Sequence, residues 1–249
     1  MKLRASDKRR PVLWIFLGIF AASLIVAAPY IWSAGSFYKA KLSARQALGK
    51  FDAESLRNLN VVPTSVVLQP SALDPDSPEV IELGGYAIHV SRPSKRTNSG
   101  KAVVLAYPRY DVRVRLPFSI AENDRLARQL NFKDAFDQSA AMYRTRPADL
   151  NAAKNVQDLK RFLFLISQKP PREPCREDFT VASLRGFIHE ADPFTKMSVV
   201  EIYDTAHHIG IPLWITDRNG LTPDDIHAFL SAIEVTASDA QKTPPVTSN

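Results

Sequence analysis

The sequence predicts an α+β domain, a largely antiparallel sheet with packed helices, preceded by one N-terminal transmembrane helix. Three observations carry this expectation. Residues 12–32 contain no charged side chain. Short β-branched or alternating segments lie early and late in the chain, with helix-like periodicity between them. The last third closes on a segment with a complete helix-start signature.

The 249 residues suffice for one domain of ordinary size with an anchor and linkers, and 45% hydrophobic with 23% charged residues is a globular composition. The net charge of +6 is concentrated at the start: Lys2, Arg4, Lys8, Arg9 and Arg10 against Asp7 give residues 1–10 a charge of about +4 and leave about +2 elsewhere. That distribution is a membrane-topology signal, and no nucleic-acid partner is expected. Cys175 is the only cysteine, so no intramolecular disulfide can form and the fold rests on its apolar core.

Residues 1–11 read as a cytoplasmic basic segment and 12–32 as the anchor. At 1.5 Å per residue the anchor spans about 31 Å, close to the bilayer hydrocarbon thickness, with Trp14, Tyr30 and Trp32 placed for the interfaces. A cleaved leader is the competing reading, but Pro29 would directly follow the small-residue site Val26-x-Ala28. The expected topology is single-pass, with the N-terminus cytoplasmic and the domain extracytoplasmic, periplasmic in a bacterial inner membrane. The lipid bilayer is then one partner, and another membrane or extracytoplasmic protein a second.

Residues 33–60 form a juxtamembrane helix on the spacing of Phe37, Ala40, Ala44, Leu48 and Phe51. The domain covers 61–236. Residues 64–69 are a short strand. Residues 80–83 and 86–90 flank Gly84-Gly85 as a hairpin. Residues 93–100 are a polar loop. Residues 102–107 are continuously apolar, which predicts a central strand covered on both faces. From 109 to 116 the pattern alternates, with Val112, Val114 and Leu116 on one side and Arg113 and Arg115 on the other.

Helices are predicted over 121–130, 133–143 and 149–167, then a proline-rich break at 170–174. Strands follow at 197–203 and 208–216; Pro212 lacks a ladder donor and puts the second at an edge or bulge. Asp217-Arg-Asn-Gly220 is a turn. Thr222 as N-cap, Pro223 at the first position and Asp224 and Asp225 in the first turn start the closing helix, whose buried face is Ile226, Phe229, Leu230 and Ile233. Residues 237–249 read as a disordered tail.

The segment 179–235, with a strand at 184–189, a long strand pair at 198–216 and the helix TPDDIHAFLSAIEV, resembles the end of PsbP-like domains. Residues 85–93, GYAIHVSRP, are similar to their opening strand. The resemblance implies an antiparallel sheet flanked by helices and an accessory, non-catalytic role, and it carries no site residue.

Candidate chemistry is sparse. His189-Glu190-x-Asp192 and His207-His208, with Glu201 and Asp204, hold metal or acid–base potential, but no HExxH spacing is present. Adjacent His207 and His208 would point to opposite faces of a strand. Cys175 lies between Arg172 and Arg176, which would lower its pKa in a loop, while a bystander thiol is the simpler reading. No nucleophile elbow, P-loop or dinucleotide fingerprint occurs, and no cofactor is expected. Arg109, Arg113 and Arg115 alternate onto one strand face, with Arg92, Lys95 and Arg96 close in sequence. Such a stripe suits an anionic partner, although Asp111 shares the face and a solvated surface explains it equally. The sequence therefore points to a membrane-anchored, extracytoplasmic binding or assembly-accessory protein. The alternative is a membrane-tethered hydrolase or metal-dependent enzyme using the His207/His208 region.

Overall fold

The computed structural model describes residues 34–72, 78–129, 131–170 and 174–237. The chain divides into two compact units, Met1–Asp52 with Ala148–Phe164, and Ala53–Pro147 with Leu165–Asn249.

In the smaller unit a helix α1 runs over 34–48 and buries Ala44 from the expected stripe. It ends in a turn where the Gly49 amide reaches the Arg45 carbonyl at 2.9 Å. The expected helix over 33–60 is thus broken, and α2 (Ala53–Leu59) is separate and belongs to the larger unit.

The anchor expected over 12–32 lies outside the described residues. Among those described, no helix is long and apolar enough to cross a membrane. A helix of 34–48 is about 22 Å long against about 30 Å of hydrocarbon, and it carries Lys39, Lys41 and Arg45. The transmembrane helix, the single-pass topology, the extracytoplasmic placement and the bilayer as partner rested on that one segment, and they do not carry over. The tail beyond 237 also lies outside the described residues.

The larger unit is a mixed α+β fold. Its main sheet contains β1 (Thr64–Val67), β4 (Lys95–Ser99), β5 (Ala102–Ala106), β6 (Tyr110–Arg115), β7 (Phe118–Ser119), β8 (Cys175–Val181), β9 (Leu184–His189), β10 (Met197–Asp204) and β11 (Ile209–Asp217). The order is β1-β8-β9-β10-β11-β6-β5-β4, with β7 added against β11. Among the described strands only β1 and β8 pair in parallel. A second sheet holds β12 (Glu234–Ala237), β3 (Tyr86–Val90) and β2 (Glu79–Leu83) in that order.

The β2–β3 hairpin follows from its turn. Gly84 and Gly85 adopt φ +60° and +84°, the mirror-image conformation that joins right-twisted strands and that only glycine enters freely. Residues 95–99 are β4, an exposed edge strand and not a loop, because β5 supplies the ladder that their polar side chains do not forbid. β5 is buried on one face only, Val103 and Leu105, since it lies one strand from the edge.

Pro212 is inside the sheet, opposite Glu201 and between β10 and β6. It falls in the gap between the stretch paired to β6, which ends at Leu213, and that paired to β7, which starts at Gly210. One side of the strand has no ladder to feed there, so a missing N–H is tolerated.

One face of the main sheet carries Val103, Leu105, Val112, Val114, Phe179, Val200, Ile202, Ile211, Leu213 and Ile215 into the principal core. Sheet two contributes Ile81, Ile88 and Val90 to it, and α6 (Pro223–Ser231) contributes Ile226, Phe229 and Leu230. Phe229 is buried edge-on against Tyr107 and Tyr110, with ring centroids 5.8 and 6.5 Å away. α6 starts as its sequence demands: Thr222 and Asp225 form a reciprocal capping box with Pro223 in the first turn. It stops at Ser231, and residues 234–237 become β12 against β3.

The opposite face is covered at one end by α4 (Ala135–Arg144), through Phe136, Ala140 and Tyr143 on Phe187. α3 (Ala121–Gln129) precedes α4, and a 3-10 turn (Pro147–Ala152) leads to α5 (Val156–Gln168).

Just past α5, the buried ammonium of Lys169 has four backbone carbonyls within hydrogen-bond distance, so its three N–H groups are shared among them. The carbonyls are those of Leu59 at 2.7 Å, Val61 at 2.9 Å, Tyr143 at 2.7 Å and Thr145 at 3.0 Å. These acceptors are the carbonyl-rich C-terminal ends of α2 and α4, where a cation is favoured.

Candidate functional site

Beyond α4 the second face of the main sheet is open. Strand alternation and register set one row of side chains across five strands: Val199, Trp214, Arg113, Val104 and Thr97. Arg115 is opposite Ala102, one row along, and Lys95 is opposite Ala106 on the same face. The guanidinium carbons of Arg113 and Arg115 lie 5.6 and 4.6 Å from the Trp214 ring centroid. A guanidinium over an aromatic face is held by the ring quadrupole and keeps its N–H donors free for another acceptor.

Neither arginine has a carboxylate partner among the described residues. Their neighbours do: Arg96 reaches Glu79 at 2.6 Å, Arg218 reaches Asp111 at 3.1 Å, and Arg109 reaches Asp225 at 3.2 Å. The structure therefore brings Arg113 and Arg115 together and removes Arg109 from the expected stripe. Arg109 sits in the turn before β6, and its guanidinium goes to α6. Asp111, which shares the strand face, is engaged by Arg218. Arg96 turns to the other side of β4, leaving Lys95 as the third cation of the open face.

An apolar hollow of about 160 Å³ adjoins this row, lined by Phe118, Val199, Ile202, Ile211 and Pro212 with Glu201 and Tyr203. Phe118 is half exposed and lies across Gly210, where a side chain would collide with its ring. Glu201 is committed inward: its carboxylate accepts from the hydroxyls of Tyr143 at 3.4 Å and Tyr203 at 3.3 Å. His189 Nε2 is 3.2 Å from the Tyr143 hydroxyl and 3.6 Å from Glu201. Burial, then the Glu201 charge, pushes both tyrosines far above the ordinary phenol value, so these hydroxyls stay protonated.

The histidines do not assemble. His207 Nδ1 pairs with the buried Asp204 at 2.6 Å, while Asp204 also accepts the Ala206 amide at 2.9 Å. His208 takes φ +53° and turns to Asp124 of α3 at 3.1 Å. Asp124 in turn accepts the first amide of α4, Ala135, at 2.8 Å. Glu201 is with His189 on the second face, and Asp192 caps its own turn by accepting the Phe194 and Thr195 amides. Among the described residues no group of three metal-ligating side chains exists. The single His207/His208 centre of the alternative reading is corrected to separate, locally satisfied pairs.

Cys175 is likewise not in an activating loop. It opens β8, is 2% exposed, and lies against Phe136, Tyr143 and Phe187. Burial, and then the Glu201 and Asp178 charges, push its thiol far up, the reverse of a nucleophilic cysteine.

Trp214 is the residue that sequence reasoning passed over. It alternates out of β11 between buried Leu213 and Ile215, so the period-two pattern that placed Arg113 outward also placed Trp214 outward. Only pairing in register made them neighbours. No protein-family model matches this chain, and no curated protein or solved structure matches it.

Proposed function

We propose that this chain is a binding module whose open sheet face receives an extended acidic segment of a partner protein. The observation that carries this reading is the pair Arg113 and Arg115, stacked on Trp214 with no carboxylate of their own. Every other charge nearby is either compensated or, like Lys95, of the same sign. Arginine and tryptophan are the residue types that dominate binding energy at protein interfaces. The hollow beside the row accepts one apolar side chain of the segment, while its carboxylates meet the two guanidinium groups. Half-buried Trp214 supplies one stacking platform in the row, fewer than sheet faces that read single-stranded nucleic acid use.

The test is fluorescence anisotropy of a labelled peptide of six glutamates around one leucine, against a glutamine counterpart and a labelled oligothymidylate. The acidic peptide binds, weakens as salt rises, and loses its affinity in Arg113→Glu/Arg115→Glu at an unchanged melting midpoint. If the reversal perturbs folding, Arg113→Gln/Arg115→Gln replaces it. Equal binding by the double variant sinks the proposal. Tighter binding of the oligonucleotide than of the peptide assigns the face to nucleic acid instead.

A further inference from the structure

The hollow beside the Trp214 row is apolar on most sides but not on all. Glu201 forms part of its wall, and 35% of this side chain is exposed. Two phenols donate to its carboxylate from within, Tyr143 at 3.4 Å and Tyr203 at 3.3 Å. An ionised carboxylate accepts about four hydrogen bonds, so two hydroxyls leave about half of that capacity open. Hydroxyls also bring no positive charge. Among the described residues no lysine or arginine pairs with Glu201, and His189 Nε2 stands 3.6 Å away.

The other walls suit an alkyl chain that ends in a cation. Val199, Ile211 and Pro212 line the hollow, and Phe118 and Tyr203 add two aromatic rings. Phe118 is 47% exposed. An aromatic face attracts an ammonium through its quadrupole, and a carboxylate beside it adds an opposite charge. The volume of about 160 Å³ is below the small-molecule range and is of the order of a single side chain.

Register sets where this carboxylate lies relative to the arginines. Glu201 of β10 is opposite Pro212 of β11. Across β11, Leu213 is opposite Val114, so Arg115 flanks Pro212 from β6. Glu201 is two residues from Val199, and Pro212 two from Trp214, which puts both on the open face with Arg115. An anion and a cation therefore stand two strand spacings apart, about 9–10 Å, with proline between them. An extended segment presents residues i and i+2 on one side, about 7 Å apart. Running across the strands, a Glu-x-Lys unit brings its carboxylate to Arg113 and Arg115 and its ammonium, on four methylenes, to Glu201.

We infer that the side chain the partner segment places in this hollow is a lysine, its stem on Val199, Ile211 and Pro212 and its ammonium between the Glu201 carboxylate and the Phe118 and Tyr203 rings. The inference rests on the reading of the open face as a receptor for an acidic segment, and it names the residue that the segment carries among its acids.

The experiment is fluorescence anisotropy of the full chain with three labelled peptides, each with three glutamates on either side of a central leucine, lysine or Nε-acetyl-lysine. The lysine peptide binds about fivefold or more tightly than the other two, although its net negative charge is smaller than theirs. Glu201→Gln brings the lysine peptide to the level of the leucine peptide and leaves the leucine peptide unchanged, at an unaltered melting midpoint. Leucine or acetyl-lysine binding as tightly as lysine to the wild type overturns this inference, whatever the variant does, and leaves the reading of the face in place. A lysine preference that survives Glu201→Gln with the fold intact also overturns it. Failure of all three peptides to bind removes the reading of the face and this inference with it.

Discussion

Replacing Lys169 by methionine keeps the length of the side chain and removes the ammonium that joins the ends of α2 and α4. The four carbonyls it leaves behind belong to the backbone, so no compensating substitution removes them, unlike a side-chain ion pair that can be exchanged for apolar residues. Two of the four bonds, to Leu59 and Tyr143, are buried, and two, to Val61 and Thr145, are partly buried. The partly buried oxygens regain water. Each buried acceptor left unsatisfied costs about 1–3 kcal/mol, or about 2–6 kcal/mol together. Methionine is easier to bury than an ammonium, which offsets part of that loss. The expected destabilisation is about 2–4 kcal/mol, a large share of a total stability of about 5–15 kcal/mol. The melting midpoint falls by roughly 4–16 °C for a unit of this size. Urea denaturation followed by circular dichroism measures it, with an unchanged slope showing that the unfolded state is the same. A midpoint unmoved or raised by Lys169→Met would refute the reasoning, because the carbonyls would then be satisfied without the cation.

Gly186→Ala should destabilise by about 1–3 kcal/mol or more: the new methyl would meet the Glu201 carbonyl oxygen and the Phe179 ring, and a paired backbone has little room to yield. The urea midpoint reads this, and a neutral result would mean that β9 and β10 move apart freely. Cys175 should resist iodoacetamide at pH 8 in the native protein and react fully in urea, because its raised thiol pKa and its burial both withhold the thiolate; rapid native alkylation, seen by mass spectrometry, would contradict its placement in β8. Asp225 is held below the ordinary carboxylate range by the Thr222 side chain and amide first and by Arg109 after them. Its contribution is therefore present above about pH 4 and is lost as the pH falls through its lowered folded value. In Asp225→Asn the stability lost between pH 5 and pH 2 should be smaller than in the wild type, and identical acid profiles would exclude the capping box as an acid-sensitive element.

Short-range chemistry was legible in the residues themselves. Gly84-Gly85 between two alternating runs can hardly be anything but a hairpin turn, since no other residue pair enters that backbone region as freely. Thr222-Pro223-Asp224-Asp225 satisfies the free amides of a helix start within four positions. The Val112/Arg113/Val114/Arg115 alternation placed two valines in the core and two arginines outside it, because a strand's side chains alternate wherever the strand is put. What remained illegible depends on residues far apart in the chain. Polar 95–99 is a strand only because β5 pairs with it. Cys175 is inert only because Phe136 and Phe187 cover it. Pro212 is tolerated in a central strand only because two neighbouring ladders leave a gap there. Lys169 reads as a surface lysine until two distant segments turn their carbonyls toward it. A charge-free stretch of sequence suggested an anchor and set the expected address of the protein, yet the helices described are short and charged. The candidate site followed the same rule. The sequence could show which way Arg113, Arg115 and Trp214 point, but their meeting depended on β6 pairing with β11 across about a hundred residues, a register decided by the burial of both strands' other faces.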